Sequence, residues 1–350
     1  MKKKNGFLEI LRFLFAMMIF IHHSGFLASD GADYPFKTAG FFAVEFFFIL
    51  TGALAMRHIE ANRTKAEAFP MKYSVNYTVS KLMRVWPYAA IGIFLSYVFY
   101  FLTADYSRRI LDVIFYRWNI IFELFFLPMT SVMDISLYTY LNTPLWYLSV
   151  LLIALPLVMY LALKFRDGFV NYFMFLIPLI LHGYLINKFG SIGNWGEYTL
   201  FTYSGVIRGL ADLMLGMCAY SLGMKAKELI ADHKAVATAA EIILYAFVIY
   251  TFSSNVDGYT YEAAVIFLTA AVGISISGES FTSKIGGTVP MFLGSLSLPI
   301  YCFHWPVYSF VSHYMKRGYL IGVLVTFAIC VVLSITINLI IEPKKGRNDG

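Results

Sequence analysis

The sequence predicts an all-α, polytopic integral membrane helical bundle of about ten transmembrane helices. Three observations predict it. Hydrophobic residues make up 59% of the 350 residues and charged residues only 14%, against roughly 25% charged in an average soluble domain. Apolar runs of spanning length recur along the chain. The basic residues also segregate to alternate loops.

The runs lie near 7–26, 40–58, 85–103, 144–163, 170–187, 203–222, 236–252, 260–276, 292–313 and 320–341. The first follows Lys2, Lys3 and Lys4, as a signal peptide would, yet it contains Glu9, Arg12, His22 and His23. It therefore reads as a retained span. The third begins after KLMRVWP, with Pro87 expected in its first helical turn. Between the third and fourth, segment 104–143 holds the short apolar stretch WNIIFELFFLPMT with Glu123 inside it. That stretch is expected to be re-entrant or interfacial instead of spanning. With ten spans and both termini in the cytoplasm, most of the 27 Lys and Arg fall inside. Lys37, Arg108, Arg109, Arg117, Lys188, Lys316 and Arg317 fall outside, and only Arg12 and Arg208 lie within spans. No Pro/Gly/Ser linker divides the chain, so residues 1–350 read as one integral membrane domain.

The net charge of +6 is explained by this topology, and no nucleic-acid partner is called for. Cys218, Cys302 and Cys330 sit in apolar segments without ligand spacing, so no metal is predicted. Neither a P-loop nor a Rossmann glycine pattern is present.

Ionisable residues inside apolar runs are costly, and so they are the candidate site. Arg12 and His23 are eleven residues apart, almost three helical turns, which puts both on one face about 16 Å apart. Glu45, in GFFAVEFFFILTG, lies at a depth matching His23 on the antiparallel second span. The pair is either a catalytic dyad, with Glu45 orienting the imidazole as a base, or a polar clamp between helices. Lys81 and Arg84, three apart near Arg12, either bind phosphates of a cytoplasmic donor or simply obey the positive-inside rule. Tyr301 and His304, one turn apart in the ninth span, are candidates for acceptor or oxyanion contacts. Arg208 and Asp212, at i and i+4 in the sixth span, have the spacing to neutralise one another, with donor contact as the other reading. Trp118, Trp146 and Trp195 suit either sugar stacking or interfacial anchoring.

In these residues the chain resembles the membrane acyltransferase-3 family. The family's first-helix Arg-x10-His pattern falls on Arg12 and His23. Its second-helix Phe-Phe-x-x-Ser-Gly appears as FFFILTG with Thr51 for Ser, and its Arg-x-x-Arg-x-x-Pro as Lys81, Arg84 and Pro87. Leu-Trp-Tyr-Leu appears as Leu145–Leu148, and the late Tyr-x-x-His as Tyr301 and His304, with Leu298 where Tyr is usual. The resemblance implies an enzyme moving an acyl group, often acetyl, from cytoplasmic acetyl-CoA or another acyl-CoA to a hydroxyl. The implied acceptor is a surface glycan or lipid-linked sugar beyond the membrane. The topology places the chain among the lipids of the cytoplasmic membrane, and no metal is expected. The alternative reading is a secondary transporter or flippase for a glycan or organic anion, using the same buried charges.

Overall fold

A computed structural model describes residues 5–28, 33–103, 119–132, 140–315 and 318–341. Asn5 starts the bundle by capping α1 (Gly6–His22): its Oδ1 accepts from the amides of Phe7 and Leu8, and its Nδ2 donates to Ser275 O. A 3₁₀ turn, His23–Leu27, continues α1 and ends it. There Ser24 Oγ reaches Ile21 O and Tyr319 OH, both at 2.6 Å. The remaining helices are α2 (Ala43–Ala61), α3 (Arg63–Ala68), α4 (Pro70–Thr103), α5 (Asn119–Leu124), α6 (Trp146–Gly168), α7 (Met174–Phe189) and α8 (Ser204–Lys225). They are followed by α9 (Lys227–Asp232), α10 (Lys234–Ser253), α11 (Gly258–Ser277), α12 (Thr288–Tyr314) and α13 (Tyr319–Ile341). The described residues form no β-strand.

Among the described residues, nine helices are long and apolar enough to cross a membrane, from the first span Gly6–Leu27 to α13 with its mean hydropathy of 2.8. α12 is a further long helix of 27 residues, about 40 Å at 1.5 Å per residue. Its polar and proline content lowers its hydropathy, and it packs centrally against α1, α4 and α13. The protein is thus an all-α polytopic membrane bundle. Its exposed apolar side chains, such as Leu320, Leu324, Val332, Leu339 and Ile340 of α13, form the face that lipid covers.

α2 and α8 run through the centre at very short range. A Cβ on Gly52 would stand 2.2 Å from Leu213 O, and one on Gly216 would stand 2.1 Å from Ile49 O. Backbone therefore meets backbone, the small-residue packing that membrane helices use where lipid supplies no hydrophobic drive. At the opposite wall Ser74 and Thr78 are buried and turn their hydroxyls onto carbonyls one turn back. This lets the polar stretch before the apolar run of α4 join the helix. In consequence α4 is 34 residues long and Pro87 lies inside it; the expected start near Pro87 is wrong. Lys81 and Arg84 are mid-helix residues.

The expected re-entrant segment is described only over 119–132 and 140–143; residues 104–118 and 133–139 lie outside the described residues. Within it α5 has six residues, too short to cross. Trp86 Nε1, midway along α4, donates to Leu124 O, which ties the segment to that helix. Glu123 is buried there and accepts from the amides of Leu141 and Asn142. Its charge therefore faces protein, not lipid.

Candidate active site

A cavity of about 380 Å³ opens among the ends of α1, α2, α6, α8 and α12. His22 of α1 and His23 just after it, Phe41 and Val44 around the start of α2, and Thr143, Pro144 and Trp146 before and in α6 line it. Ser191, Gly193, Asn194 and Trp195 of the α7–α8 loop, Arg208 of α8 and Tyr301 of α12 also line it.

His23 stands at the end of α1, where the helix tightens into its 3₁₀ turn. Its Nδ1 lies 3.0 Å from His304 Nε2, and His304 Nδ1 lies 3.0 Å from Ile300 O. The carbonyl can only accept, so His304 Nδ1 carries the proton and its Nε2 is left to accept. His23 Nδ1 must then donate, which leaves His23 Nε2 with a free lone pair. The Ile300 carbonyl thus sets both tautomers, that of His304 directly and that of His23 through His304. His304 is fully buried, and the cavity wall includes His23 but not His304. Trp305 and His22 pack edge-on against the His23 ring, at 5.2 and 5.0 Å between centroids.

The partner expected for His23 was Glu45, and this is corrected. Depth was matched, but the His23 face of α1 turns to α12, whereas Glu45 is fully buried and accepts from Arg208 Nε at 2.5 Å. A guanidinium in the bundle core requires a carboxylate more than a neutral imidazole does. The close ion-pair partner of Arg208 is thus Glu45, while Asp212, one turn on, stays within electrostatic range of both Arg208 and Glu45 and lies 3.6 Å from His182 Nε2.

Arg208 donates also to Gly193 O (2.9 Å) and Phe41 O (3.2 Å), and its guanidinium lies 5.4 Å from the Trp146 ring centre. Five N–H groups are available to a guanidinium and these bonds engage three, which leaves two on a side chain that lines the cavity. Tyr301 lines the cavity, but its hydroxyl hydrogen bonds to Pro144 O. That bond ties the hydroxyl to the lead-in of α6. Trp146 and Trp195 stack at 5.6 Å and 15° in the cavity wall; Trp118 lies outside the described residues. Tyr147, next to Trp146, bonds Thr51 Oγ1 and Phe47 O, both at 3.2 Å, and so joins α6 to α2.

Nearer the Asn5 end of α1, Lys81 of α4 lies within electrostatic range of both Arg12 and Arg84. Arg84 and Arg57 together act on His58 and Tyr77. Arg12 has Glu9 at 3.4 Å, its side chain is 40% exposed, and its Nε is enclosed without a partner. Among the described residues, neither Lys81 nor Arg84 has a carboxylate within 4 Å. The cluster is a positive surface short of counter-charge, with the donor set that phosphate groups require.

A family model described as an acyltransferase domain matches residues 5–342. The chain belongs to the membrane acyltransferase family 3. No curated protein and no solved structure matches it. In this acyltransferase, reading from sequence missed His182, which is fully buried with Nδ1 2.6 Å from Glu262 Oε2. Its signal was available: a histidine, an aspartate and a glutamate, each inside a different apolar run. Among the described residues, no group of three or more His, Cys, Asp or Glu could hold a metal ion.

Proposed function

We propose that this acyltransferase carries an acetyl group from acetyl-coenzyme A on the cytoplasmic side to a hydroxyl of a lipid-linked or surface carbohydrate on the far side. In this reading both termini are cytoplasmic and the chain resides in the cell membrane. The observation that carries the reading is the relay from Ile300 O through His304 to His23, which leaves an imidazole lone pair on a cavity also walled by a guanidinium and stacked indoles.

The donor's phosphates bind among Arg12, Lys81 and Arg84, and its thioester end reaches the cavity. His23 Nε2 removes the proton of the acceptor hydroxyl as the oxygen attacks the thioester carbonyl. Negative charge developing on that carbonyl oxygen meets the two remaining N–H groups of Arg208. As the tetrahedral centre collapses the C–S bond breaks, and the thiolate takes the proton from His23. Trp146 and Trp195 present flat apolar faces of the kind that sugar rings stack on.

The test is reconstitution of the purified protein in lipid with labelled acetyl-coenzyme A, beside mass spectrometry of envelope glycans from cells with and without the gene. Transfer or slow thioester hydrolysis is expected, together with loss of an acetyl mass from one glycan. His23→Ala should lower the rate by about 10²–10⁴-fold with donor binding retained. Solute movement across sealed vesicles with no acyl turnover would overturn the proposal in favour of a transporter.

A further inference from the structure

Behind Arg208, away from the cavity, a line of buried ionisable groups runs through four helices. Glu45 of α2 holds Arg208 of α8. Asp212, one turn on from Arg208, lies in hydrogen-bonding reach of the Glu45 carboxyl. His182 of α7 stands between Asp212 and Glu262 of α11, with Nε2–Oδ1 at 3.6 Å and Nδ1–Oε2 at 2.6 Å. Glu45, Asp212 and His182 have no solvent exposure. From α6, Tyr147 is within electrostatic range of Asp212.

Two features of this line ask for bound protons. First, Glu45 Oε2 and both oxygens of Asp212 are enclosed and have no donor; two carboxyl groups meet in such a place only with a proton between them. Second, the charges do not balance without them. Three carboxylates face one guanidinium, and an excess of two negative charges is severely penalised in the core of a membrane bundle. One proton between Glu45 and Asp212 halves that excess.

We propose that Glu45, Asp212, His182 and Glu262 form a buried proton-binding site that sets how much positive charge Arg208 presents to the cavity. The proposal rests on the reading of Arg208 as the group that meets the developing oxyanion. With the proton bound, the Glu45–Asp212 pair puts a single negative charge directly behind Arg208, whose field extends into the cavity. Release of the shared proton puts a second negative charge behind it and cancels that field where the oxyanion forms. Transfer therefore falls as pH rises through release of this proton. Asp212 and His182 are positioning residues; they touch no substrate.

Infrared difference spectroscopy of the full-length protein in lipid nanodiscs tests this without any acyl donor. A carbonyl stretch of a protonated carboxyl group, sensitive to H/D exchange, is expected at neutral pH and should vanish as pH is raised. Asp212→Asn should remove it, because the amide donates to Glu45 without an exchangeable acid proton. The same variant should keep the transfer rate within about twofold at neutral pH and should lose the decline at high pH. His182→Gln, which leaves the Glu45–Asp212 contact in place, should keep the band and serves as a second variant. Absence of the band in the unaltered protein would overturn the proposal, as would an Asp212→Asn protein with the same band and the same pH profile. Should the protein transfer no acyl group at all, the proposed function fails, while the infrared bands still decide whether the site binds protons.

Discussion

His304 acts at the scale of single atoms by fixing which nitrogen of His23 carries a proton. Replacing it with Leu leaves His23 Nδ1 without that acceptor and frees the ring to place its proton on Nε2, where the hydroxyl proton must go. His304→Leu is expected to lower kcat by roughly 10²-fold, with the donor KM unchanged. His304→Gln, which offers a carbonyl oxygen in place of Nε2, should recover part of the loss; steady-state kinetics on the two variants checks this. A different kinetic signature is expected at the cation cluster. Arg84 has no carboxylate partner among the described residues and lies within electrostatic range of Lys81, so Arg84→Ala should raise the donor KM and leave kcat nearly unaltered, the mark of lost uniform binding. His23, Arg12, Lys81 and Arg84 were legible in the sequence because a charge inside an apolar run, or a motif at fixed spacing, needs no partner to be noticed. The partner of His23 was not legible. Glu45 and His304 are both buried at plausible depth, and only the rotation of each helix about its axis decides which of them the imidazole meets.

At the scale of elements, the close contact of α2 with α8 holds Glu45 against Arg208. Gly52 and Gly216 permit it, since either Cβ would enter the other helix's backbone. Gly216→Val should force the pair apart and destabilise the fold by about 1–3 kcal/mol or more, seen as a lower midpoint in thermal unfolding of the detergent-solubilised protein. Activity should fall with it, because the carboxylate and the guanidinium would no longer register. Helix lengths were less legible than helix existence. The run 85–103 was apparent from hydropathy, whereas α4 begins at Pro70 because Ser74 and Thr78 bond their own helix and Leu82 packs inward, so polar residues join a helix that an apolar window does not reach. The burial of Glu123 was legible for a related reason: an apolar stretch too short to cross, with a glutamate in it, must bury that charge in protein.

For the whole molecule, the proposed reaction requires its two clusters to face opposite sides of the membrane. Native cysteines are buried, so single introduced cysteines report orientation directly. Asp232→Cys and Asn255→Cys stand just beyond the two ends of α10. Impermeant thiol reagents applied to intact cells should label the second at once and the first only after the membrane is opened; the reverse pattern would place the amino terminus outside. The sequence by itself determined that this chain is a helical membrane bundle, because hydropathy over spanning length reports the cost of backbone and charge in lipid and needs no knowledge of neighbours. It also carried the motifs that mark the family and the residues too expensive to be incidental. Tertiary structure alone decided the pairings: His23 with His304, Arg208 with Glu45, and Asp212 with Glu45 and His182. Those depend on which faces of non-adjacent helices meet, and the free energy that selects them is shared among backbone contact, packing and charge neutralisation across the whole bundle.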